Sequence, residues 1–413
     1  MREYDSKRTR QVARVCCREA VFVVAALVAL GLSRAAPAAS QCPVPRYDAQ
    51  STGRTSAHAT YNPVLEWSVA TNCSFTPVIG ANGALFFGTT ARCFYAYTSD
   101  GTVQWTYRTS TSIGGSAALG SDGSVYLGVT GQLIALSNTG SPLWADPFRF
   151  SGTASPTSVQ IGRDGTLYFG TNDYNVYAVN PDGTSKWSFN TGSAVRYSPS
   201  LSPDGSTVYV TSGDGRVYAL ESSNGTLKWK TAAISAIYNP AVADDGTVYV
   251  GSINGKLYAF TASGSQKWAF QAQSKVTCAP AVAADGTIYF GSQDANLYAL
   301  DATGAKKWYY RTGGAIYSAP TLDATGVAIF SAWPGTLTAL NSLGGVSWTR
   351  TLSANAYSPV VIDSEGSVYA LGTDGAITKF SGPQHPEPSS VMALGSLLVA
   401  FGGVSLRGRR QKR

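Results

Sequence analysis

The chain has little charge and almost no histidine or methionine. Of its 413 residues only 13% are Asp, Glu, Lys or Arg, and there are two histidines and two methionines. Globular proteins usually carry about 25% charge, so a charged coiled coil and a disordered acidic or basic chain are excluded. His58 lies near the start and His385 near the end. A triad or metal centre built on histidine is therefore excluded as well.

Motifs that carry chemistry are also missing. The chain has no GxSxG, Walker or GxGxxG signal in a strand–turn–helix context, and it has no CxxC or CxxCH spacing. Nine Asp carboxylates precede glycine in short turns, where Asp hydrogen-bonds its own backbone. These are Asp100, Asp122, Asp164, Asp182, Asp204, Asp214, Asp245, Asp285 and Asp374. We predict no catalytic residue and no metal site.

The formal net charge of +7 is confined to the two ends. Residues 1–40 carry seven Lys and Arg against three acids, and residues 386–413 carry five against one. Each end thus contributes +4, and the middle is left at −1. A nucleic-acid binder would show a basic patch on its body, so we expect no nucleic-acid partner.

The first 40 residues are typical of an export signal. Arg8, Arg10, Arg14 and Arg18 precede the apolar run 21–32, and small residues follow as far as Ser40. This run is short for a bilayer span, which needs about 20 residues. We predict a signal peptide over residues 1–40, with an uncleaved signal anchor as the alternative.

The C-terminal residues 382–413 contain three parts in order. Pro386, Glu387 and Pro388 precede the apolar segment 391–406, and five basic residues end the chain. An apolar run stopped by basic residues keeps its end in the cytoplasm. The three parts together resemble the bacterial PEP-CTERM sorting signal. The resemblance implies an exosortase-type processing protease, transient membrane anchoring, and release to the cell surface or extracellular matrix. A permanent anchor is the alternative.

Eight of the nine tryptophans recur 38 to 43 residues apart. They are Trp67, Trp105, Trp144, Trp187, Trp229, Trp268, Trp308 and Trp348. A period near 40 with strand signals indicates a propeller or solenoid. In the unit 238–268, turns at Asp245-Gly246, Asn254-Gly255 and Ser263-Gly264 separate four short β-rich runs. Each unit is thus predicted to be a four-stranded antiparallel blade, with strands apolar on both faces because blades stack face to face.

The chain ends predict how the ring closes. Seven tryptophan-to-tryptophan units and the unit after Trp348 make eight blades, but the last unit has only three strands. A surplus strand, 63–69, surrounds Trp67. We predict that it forms the outer edge of the eighth blade. The predicted fold is therefore all-β: an eight-bladed β-propeller over residues 41–381, closed by an N-terminal strand.

The stretches 218–229 and 298–308, each running from Tyr-Ala-Leu through a glycine to tryptophan, resemble the docking repeat of PQQ-like propellers. The opening 47–54 is similar to that of bacterial members of this group. The resemblance implies that each repeat tryptophan packs against the docking motif of a neighbouring blade. All eight tryptophans are then structural.

The same resemblance raises the question of catalysis. Quinoprotein dehydrogenases of this group use PQQ, Ca²⁺, a catalytic Asp and often a disulfide between adjacent cysteines. No adjacent cysteines occur after residue 40, and roughly 42 residues per blade leave little beyond the minimal repeat. We expect the protein not to be an enzyme, with PQQ and Ca²⁺ as cofactors only under the alternative.

Two repeated features predict a binding face. Tyr197, Tyr238, Tyr317 and Tyr357 recur nine or ten residues after their tryptophans, at the predicted start of an innermost strand. Arginines stand just before such strands, at Arg108, Arg196, Arg311 and Arg350. A ring of Tyr and Arg at the channel mouth would hold a glycan, a peptide or an anionic ligand. Packing between blades for the tyrosines and solvated loops for the arginines are the alternative.

Four cysteines lie beyond the signal, at Cys42, Cys73, Cys93 and Cys278. Export leads to an oxidising compartment. Cys73 and Cys93 share one repeat unit, so they are the predicted disulfide. Buried free thiols are the alternative.

These features favour an exported, non-catalytic PQQ-like propeller that serves as a binding scaffold at the cell surface or in the extracellular matrix. We expect a monomer whose partner is an envelope protein, a peptide or a polysaccharide. Two other functions stay open: a PQQ-dependent quinoprotein oxidoreductase, and an envelope assembly factor resembling the propeller lipoprotein of outer-membrane barrel assembly.

Overall fold

The computed structural model describes residues 48, 50–151, 153–236 and 238–383. Every regular element in these residues is a β-strand, and the 32 strands form eight four-stranded antiparallel sheets. The predicted eight-bladed β-propeller is confirmed. No helix in this part of the chain is long and apolar enough to cross a membrane. The predicted signal, His385, Cys42, the Pro-Glu-Pro motif and the segment 391–406 lie outside the described residues.

Each blade contributes four strands, ordered from the axis outward. They are, for blades one to eight in turn, β2 Val78–Ile79, β3 Leu85–Gly88, β4 Cys93–Tyr97, β5 Val103–Arg108; β6 Ala118–Leu119, β7 Val125–Val129, β8 Gln132–Leu136, β9 Phe148–Arg149; β10 Gln160–Ile161, β11 Leu167–Gly170, β12 Asn175–Val179, β13 Ser185–Asn190; β14 Ser200–Leu201, β15 Thr207–Thr211, β16 Val217–Glu221, β17 Leu227–Lys230; β18 Ala241–Val242, β19 Val248–Gly251, β20 Lys256–Phe260, β21 Gln266–Gln271; β22 Ala281–Val282, β23 Ile288–Gly291, β24 Asn296–Leu300, β25 Lys306–Arg311; β26 Thr321–Leu322, β27 Ala328–Ala332, β28 Thr336–Leu340, β29 Val346–Thr351; and β30 Val361–Ile362, β31 Val368–Leu371, β32 Ala376–Ser381, β1 Val64–Ala70.

The core of the protein lies between the blades. The second strand of each blade is buried at every residue, as in β15 and β19, whereas the outermost strand, as in β21, alternates exposed and half-buried residues. Neighbouring blades cover both faces of the inner strands, and water reaches the outer edge. The predicted burial of both strand faces is therefore confirmed.

The ring closes as the chain ends predict. Strand β1 pairs antiparallel with β32 from Val64 opposite Ser381 to Ala70 opposite Ala376, with one bulge before Trp67. The Lys379 ammonium lies 3.0 Å from the Glu66 carboxylate across this pair. The first strand thus covers an edge that would otherwise be unpaired.

Seven of the eight repeat tryptophans join one blade to the next. Each donates its indole N–H to a backbone carbonyl in the turn after the third strand of the following blade: Trp67 to Ser99 (3.2 Å), Trp105 to Asn138 (2.7 Å), Trp144 to Pro181 (2.9 Å), Trp187 to Ser222 (2.9 Å), Trp229 to Ala262 (2.8 Å), Trp268 to Ala302 (3.0 Å) and Trp308 to Ser342 (3.0 Å). A glycine of the same turn lies against the ring. For Trp229 it is Gly264, whose φ is +89°.

Trp348 differs from the other seven. Its indole N–H is buried without a hydrogen-bond partner. The blade that follows is the eighth, whose third and fourth strands come from opposite ends of the chain. No turn joins β32 to β1, so the carbonyl that accepts in the other blades has no counterpart at this seam.

Blade two departs from the regular repeat. Its outermost strand β9 has two residues, and Trp144 precedes this strand instead of lying within it. Pro142 and Pro147 flank Trp144. Proline has no N–H to donate to a sheet, so the long outer strand of the other blades does not form in this blade.

Candidate functional site

A cavity on the propeller axis opens where the innermost strands begin. Its volume is about 640 Å³, within the roughly 300–1,000 Å³ typical of small-ligand sites. All eight blades contribute to this funnel, mostly through the residues just before their innermost strands. The lining consists of Ser74, Phe75, Thr76, Ser116, Ser158, Tyr197, Ser198, Tyr238, Asn239, Thr277, Cys278, Ala279, Gln293, Tyr317, Ala319, Tyr357, Ser358 and Pro359.

The four predicted tyrosines meet in this funnel as two pairs. The ring centroids of Tyr197 and Tyr238 are 4.8 Å apart, with their planes at 51°. Those of Tyr317 and Tyr357 are 5.1 Å apart, with their planes at 74°. Blade six separates the pairs and has Thr277 at the corresponding place. Their placement at the channel mouth agrees with the expectation, and their role in binding stays a prediction.

The hydroxyls of Tyr197 and Tyr238 are neutral at physiological pH. Burial raises the pKa of Tyr238 to about 12, and the neighbouring Tyr197 adds to this shift. Burial also raises the pKa of Tyr197. A neutral phenol both donates and accepts a hydrogen bond, so this pair can serve ligand hydroxyls but offers no negative charge.

Small polar side chains complete the wall. Ser158 Oγ accepts from the Ser116 backbone N–H at 3.0 Å. Asn239 Nδ2 donates to the Ser198 carbonyl at 3.4 Å, and Gln293 Nε2 donates to Thr277 Oγ1 at 3.3 Å. Sequence reasoning missed these groups because single serines and amides form no motif. Their common signal is position. Ser116, Ser158, Ser198 and Asn239 each stand two residues before an innermost strand.

The predicted arginines do not join the tyrosines, and that expectation is wrong. Arg108, Arg311 and Arg350 lie in β5, β25 and β29, the outermost strands of their blades. Three strand spacings, about 14 Å, separate such a strand from the innermost one. Arg196 is exposed beside Tyr197, outside the funnel lining. The sequence runs directly from an outermost strand into the next blade, so neighbours along the chain are separated by the width of a blade.

Arg350 has a structural role instead. Its Nε donates to the Pro63 carbonyl at 2.6 Å, and Nη2 donates to Asn62 Oδ1 at 2.8 Å. These bonds hold the chain just before β1, next to the closing seam. Its guanidinium is therefore engaged away from the axis.

The chain itself covers the other end of the channel with an N-terminal strap, residues 50–60. The backbone N–H groups of Val242, Val282 and Leu322, in three successive innermost strands, donate to strap carbonyls at 3.0, 2.9 and 2.8 Å. The strap residues Ser51 and Thr60 have no exposed surface. A ligand therefore reaches the funnel from the tyrosine side.

A second cavity, of about 700 Å³, lies beside the strap. Its charged groups are already engaged within the protein. Arg54 donates to both oxygens of Asp244, at 2.9 and 3.0 Å, and Asp323 accepts from the Ala59 backbone N–H at 3.1 Å. These contacts hold the strap in place. We therefore assign the funnel, and not this cavity, as the candidate site.

The predicted Cys73–Cys93 disulfide is wrong, because both residues are buried free thiols. Thr89 pairs with Cys73 on one side and, across its hairpin, with Cys93 on the other. The two cysteines are thus two strand spacings apart, about 9.6 Å, whereas a disulfide needs Cα atoms closer than about 7 Å. Cys73 Sγ instead donates to the Phe75 carbonyl at 3.0 Å.

The funnel does not fit a quinone with calcium. Calcium in proteins is held by several oxygen ligands that usually include carboxylates, and the described residues that line the funnel include no Asp or Glu. No group of three or more His, Cys, Asp or Glu within the described residues could hold a metal. A base poised on a substrate hydroxyl would also need a carboxylate or histidine within reach. The lining therefore offers hydrogen bonds and aromatic faces only.

Eight four-stranded blades joined by tryptophans place the molecule in the class of PQQ-like propellers. The profile of the PQQ_2 family, described as outer membrane protein assembly factor BamB, matches residues 89–239 and 231–387. These segments span most of the chain, so the protein belongs to this family. A search of curated proteins finds no match.

Solved structures show the same fold at low sequence identity. BamB from Moraxella catarrhalis is 20% identical, with a TM-score of 0.63 over 77% of this chain and 99% of that chain. A europium-containing methanol dehydrogenase is 13% identical, with a TM-score of 0.64 over 80% of this chain and 89% of that chain. Since one of these is an enzyme by name and the other is not, the shared fold does not decide the function.

Proposed function

We propose that the protein is an exported, non-catalytic propeller that binds a ligand in its axial funnel and acts as a scaffold at the cell surface or in the extracellular matrix. The observation that carries this proposal is the chemistry of the funnel. The lining residues that the structure describes combine four tyrosines with hydroxyl and amide groups and include no carboxylate, histidine or cation. Such a surface recognises a ligand and has no acid or base to transform it.

Export and surface delivery rest on the sequence of the two chain ends. The basic and apolar leader supports secretion. The Pro-Glu-Pro motif, apolar segment and basic end support transient anchoring followed by processing. Replacing Pro386, Glu387 and Pro388 with alanine is expected to keep the protein in the membrane fraction, measured by fractionating cells and medium. Unchanged release into the medium would contradict the sorting role.

The catalytic alternative is tested directly with the purified full-length protein. We expect no substrate-dependent dye reduction after incubation with PQQ and Ca²⁺ across a panel of alcohols and aldoses. A quinoprotein of known activity serves as the positive control. Turnover that disappears when calcium is chelated would overturn the proposal and make the protein an oxidoreductase.

A role in envelope assembly is the second candidate, because the family profile is described as outer membrane protein assembly factor BamB. Under our proposal, loss of the protein leaves the folded amount of outer-membrane barrels unchanged, measured by their heat-dependent mobility on gels. If loss of the protein lowers the amount of folded barrels, the intact gene should restore it. Equal restoration by a variant that lacks the funnel tyrosines would favour assembly over ligand binding at the funnel.

A further inference from the structure

The funnel has a chemical character specific enough to name its ligand class. Resting on the proposed binding function, we propose that it recognises the terminal sugars of an uncharged polysaccharide. Four properties lead to this ligand: the neutrality of the wall, the paired aromatic rings, the hydroxyl and amide groups of the wall, and the closed lower end.

Neutrality excludes charged ligands. Among the described residues that line the funnel, none carries a charged side chain at neutral pH. A phosphate, sulfate or uronate group entering it would lose its hydration without gaining a counter-charge, which is costly. The nearby arginine, Arg196, is exposed and is not part of the cavity lining, although its charge acts on Tyr197. An uncharged ligand avoids this penalty.

The aromatic pairs suit a sugar ring. In each pair the ring planes are inclined, at 51° and 74°, so the rings cannot bury their faces fully on each other. Tyr357 keeps 50% of its surface exposed at the funnel mouth. The C–H groups on one face of a pyranose pack against such a ring, while its hydroxyls stay at the edge. Tyrosine combines an apolar face with a polar tip in the same way.

The polar wall suits hydroxyl groups. A sugar hydroxyl is both a donor and an acceptor, and so are the serine, threonine and tyrosine hydroxyls and the side-chain amides. Asn239 and Gln293 are each held by one hydrogen bond from their amide nitrogen, at 3.4 and 3.3 Å. Such preorganised groups bind a ligand with little further loss of side-chain entropy.

The closed end determines which part of a chain can enter. The strap lies along three successive innermost strands beneath the funnel, with Ser51 and Thr52 buried there. A polymer that enters meets this segment and therefore inserts an end or a short branch. A peptide that inserts an end brings an ammonium or a carboxylate into a neutral cavity, whereas a polysaccharide end is uncharged. The blind, neutral funnel therefore favours a sugar terminus over a peptide terminus.

The test measures binding of the purified full-length protein to defined oligosaccharides by calorimetry. The neutral probes are hexasaccharides of glucose, mannose, galactose and N-acetylglucosamine. Hexagalacturonate is the negatively charged control for the galactose hexamer, and a hexapeptide with free termini is the peptide control. We expect at least one neutral sugar to bind and both charged probes to fail. Lengthening the bound sugar should leave the affinity per chain unchanged, since only the end enters.

Two substitutions locate the site. Tyr357→Ala is expected to weaken binding of the neutral sugar roughly three- to tenfold, the size of one aromatic contact. Tyr309→Ala is the matched control, because Tyr309 is 55% exposed but lies on the outer strand β25, and it should bind normally. Both variants should keep the native thermal unfolding temperature.

The outcomes separate this inference from the proposed function. Binding of the peptide or the uronate, reduced by Tyr357→Ala, would overturn the sugar assignment and leave the scaffold function standing. Affinity that rises with polymer length would overturn recognition of the chain end. Failure of every probe would overturn the inference for these sugars, and calcium-dependent turnover would overturn the proposed function itself.

Discussion

We predict that the contact between each repeat tryptophan and the glycine of the neighbouring turn is the main stabilising contact between blades. One substitution measures its contribution to stability. At Gly264 a Cβ atom would stand 2.6 Å from the Trp229 ring, and φ is +89°. Gly264→Ala therefore adds backbone strain and also pushes the tryptophan off its docking turn. The control is Gly326→Ala, where φ is a similar +81° but nothing lies within 4 Å of the added Cβ.

The expected magnitudes follow from these two geometries. Alanine at positive φ costs about 1–2 kcal/mol, and this cost is shared by both variants. Overpacking a contact costs a further 1–3 kcal/mol, roughly. In Gly264→Ala the Trp229 hydrogen bond to the Ala262 carbonyl, now 2.8 Å, should also weaken, which adds about 0.5–1.5 kcal/mol. Gly264→Ala should thus be less stable than Gly326→Ala by roughly 1.5–4.5 kcal/mol.

Urea denaturation followed by tryptophan fluorescence and by circular dichroism measures both variants. Agreement of the two probes checks that unfolding is cooperative. A much larger decrease of the urea midpoint for Gly264→Ala than for Gly326→Ala supports a stabilising role of the tryptophan–glycine contact. Equal shifts for the two variants would refute it, because only the shared backbone cost would then be at work.

Three further predictions address other parts of the molecule. Deleting β1, Val64–Ala70, should expose the unpaired edge of β32 and cause aggregation, seen by size-exclusion chromatography and a lower unfolding temperature; a monomer with unchanged melting would contradict the closure. Hydrogen bonds from Ser202 and Ser206 lower the pKa of Asp204 to about 2, below its ordinary value of 3.8. Its contribution to stability is therefore present above about pH 4 and lost as the pH falls toward about 2. Between about pH 4 and pH 2 the unfolding temperature of Asp204→Asn should thus fall less steeply with pH than that of the wild type. Equal pH dependence of the two proteins would argue against the lowered pKa. Burial raises the pKa of Cys73 to about 12, so iodoacetamide at pH 8 should label Cys73 only after denaturation, and mass spectrometry without reductant should find no Cys73–Cys93 crosslink.

Local sequence determined the repeat because the relevant physics is local. In the Asp-Gly and Asn-Gly pairs the glycine takes the positive φ of the hairpin turn, and the short apolar runs between these turns form strands buried on both faces. The spacing of the tryptophans predicted the number of blades. The last unit lacks a fourth strand, and the surplus strand around Trp67 was predicted to supply it. The position of the four tyrosines at the channel mouth followed from the same periodicity, since repeated positions face the axis alike.

Only the tertiary structure decided which neighbours in sequence are neighbours in space. Arg311 and Tyr317 are six residues apart in the chain, yet one lies on an outermost strand and the other in the funnel, because the chain crosses from the rim of one blade to the axis of the next. Cys73 and Cys93 share a repeat but are separated by Thr89, which lies just after β3. The strap closes the channel through hydrogen bonds to three blades more than 180 residues away along the chain, at Val242, Val282 and Leu322. Local patterns contain no information about such long-range contacts, which arise when the ring closes.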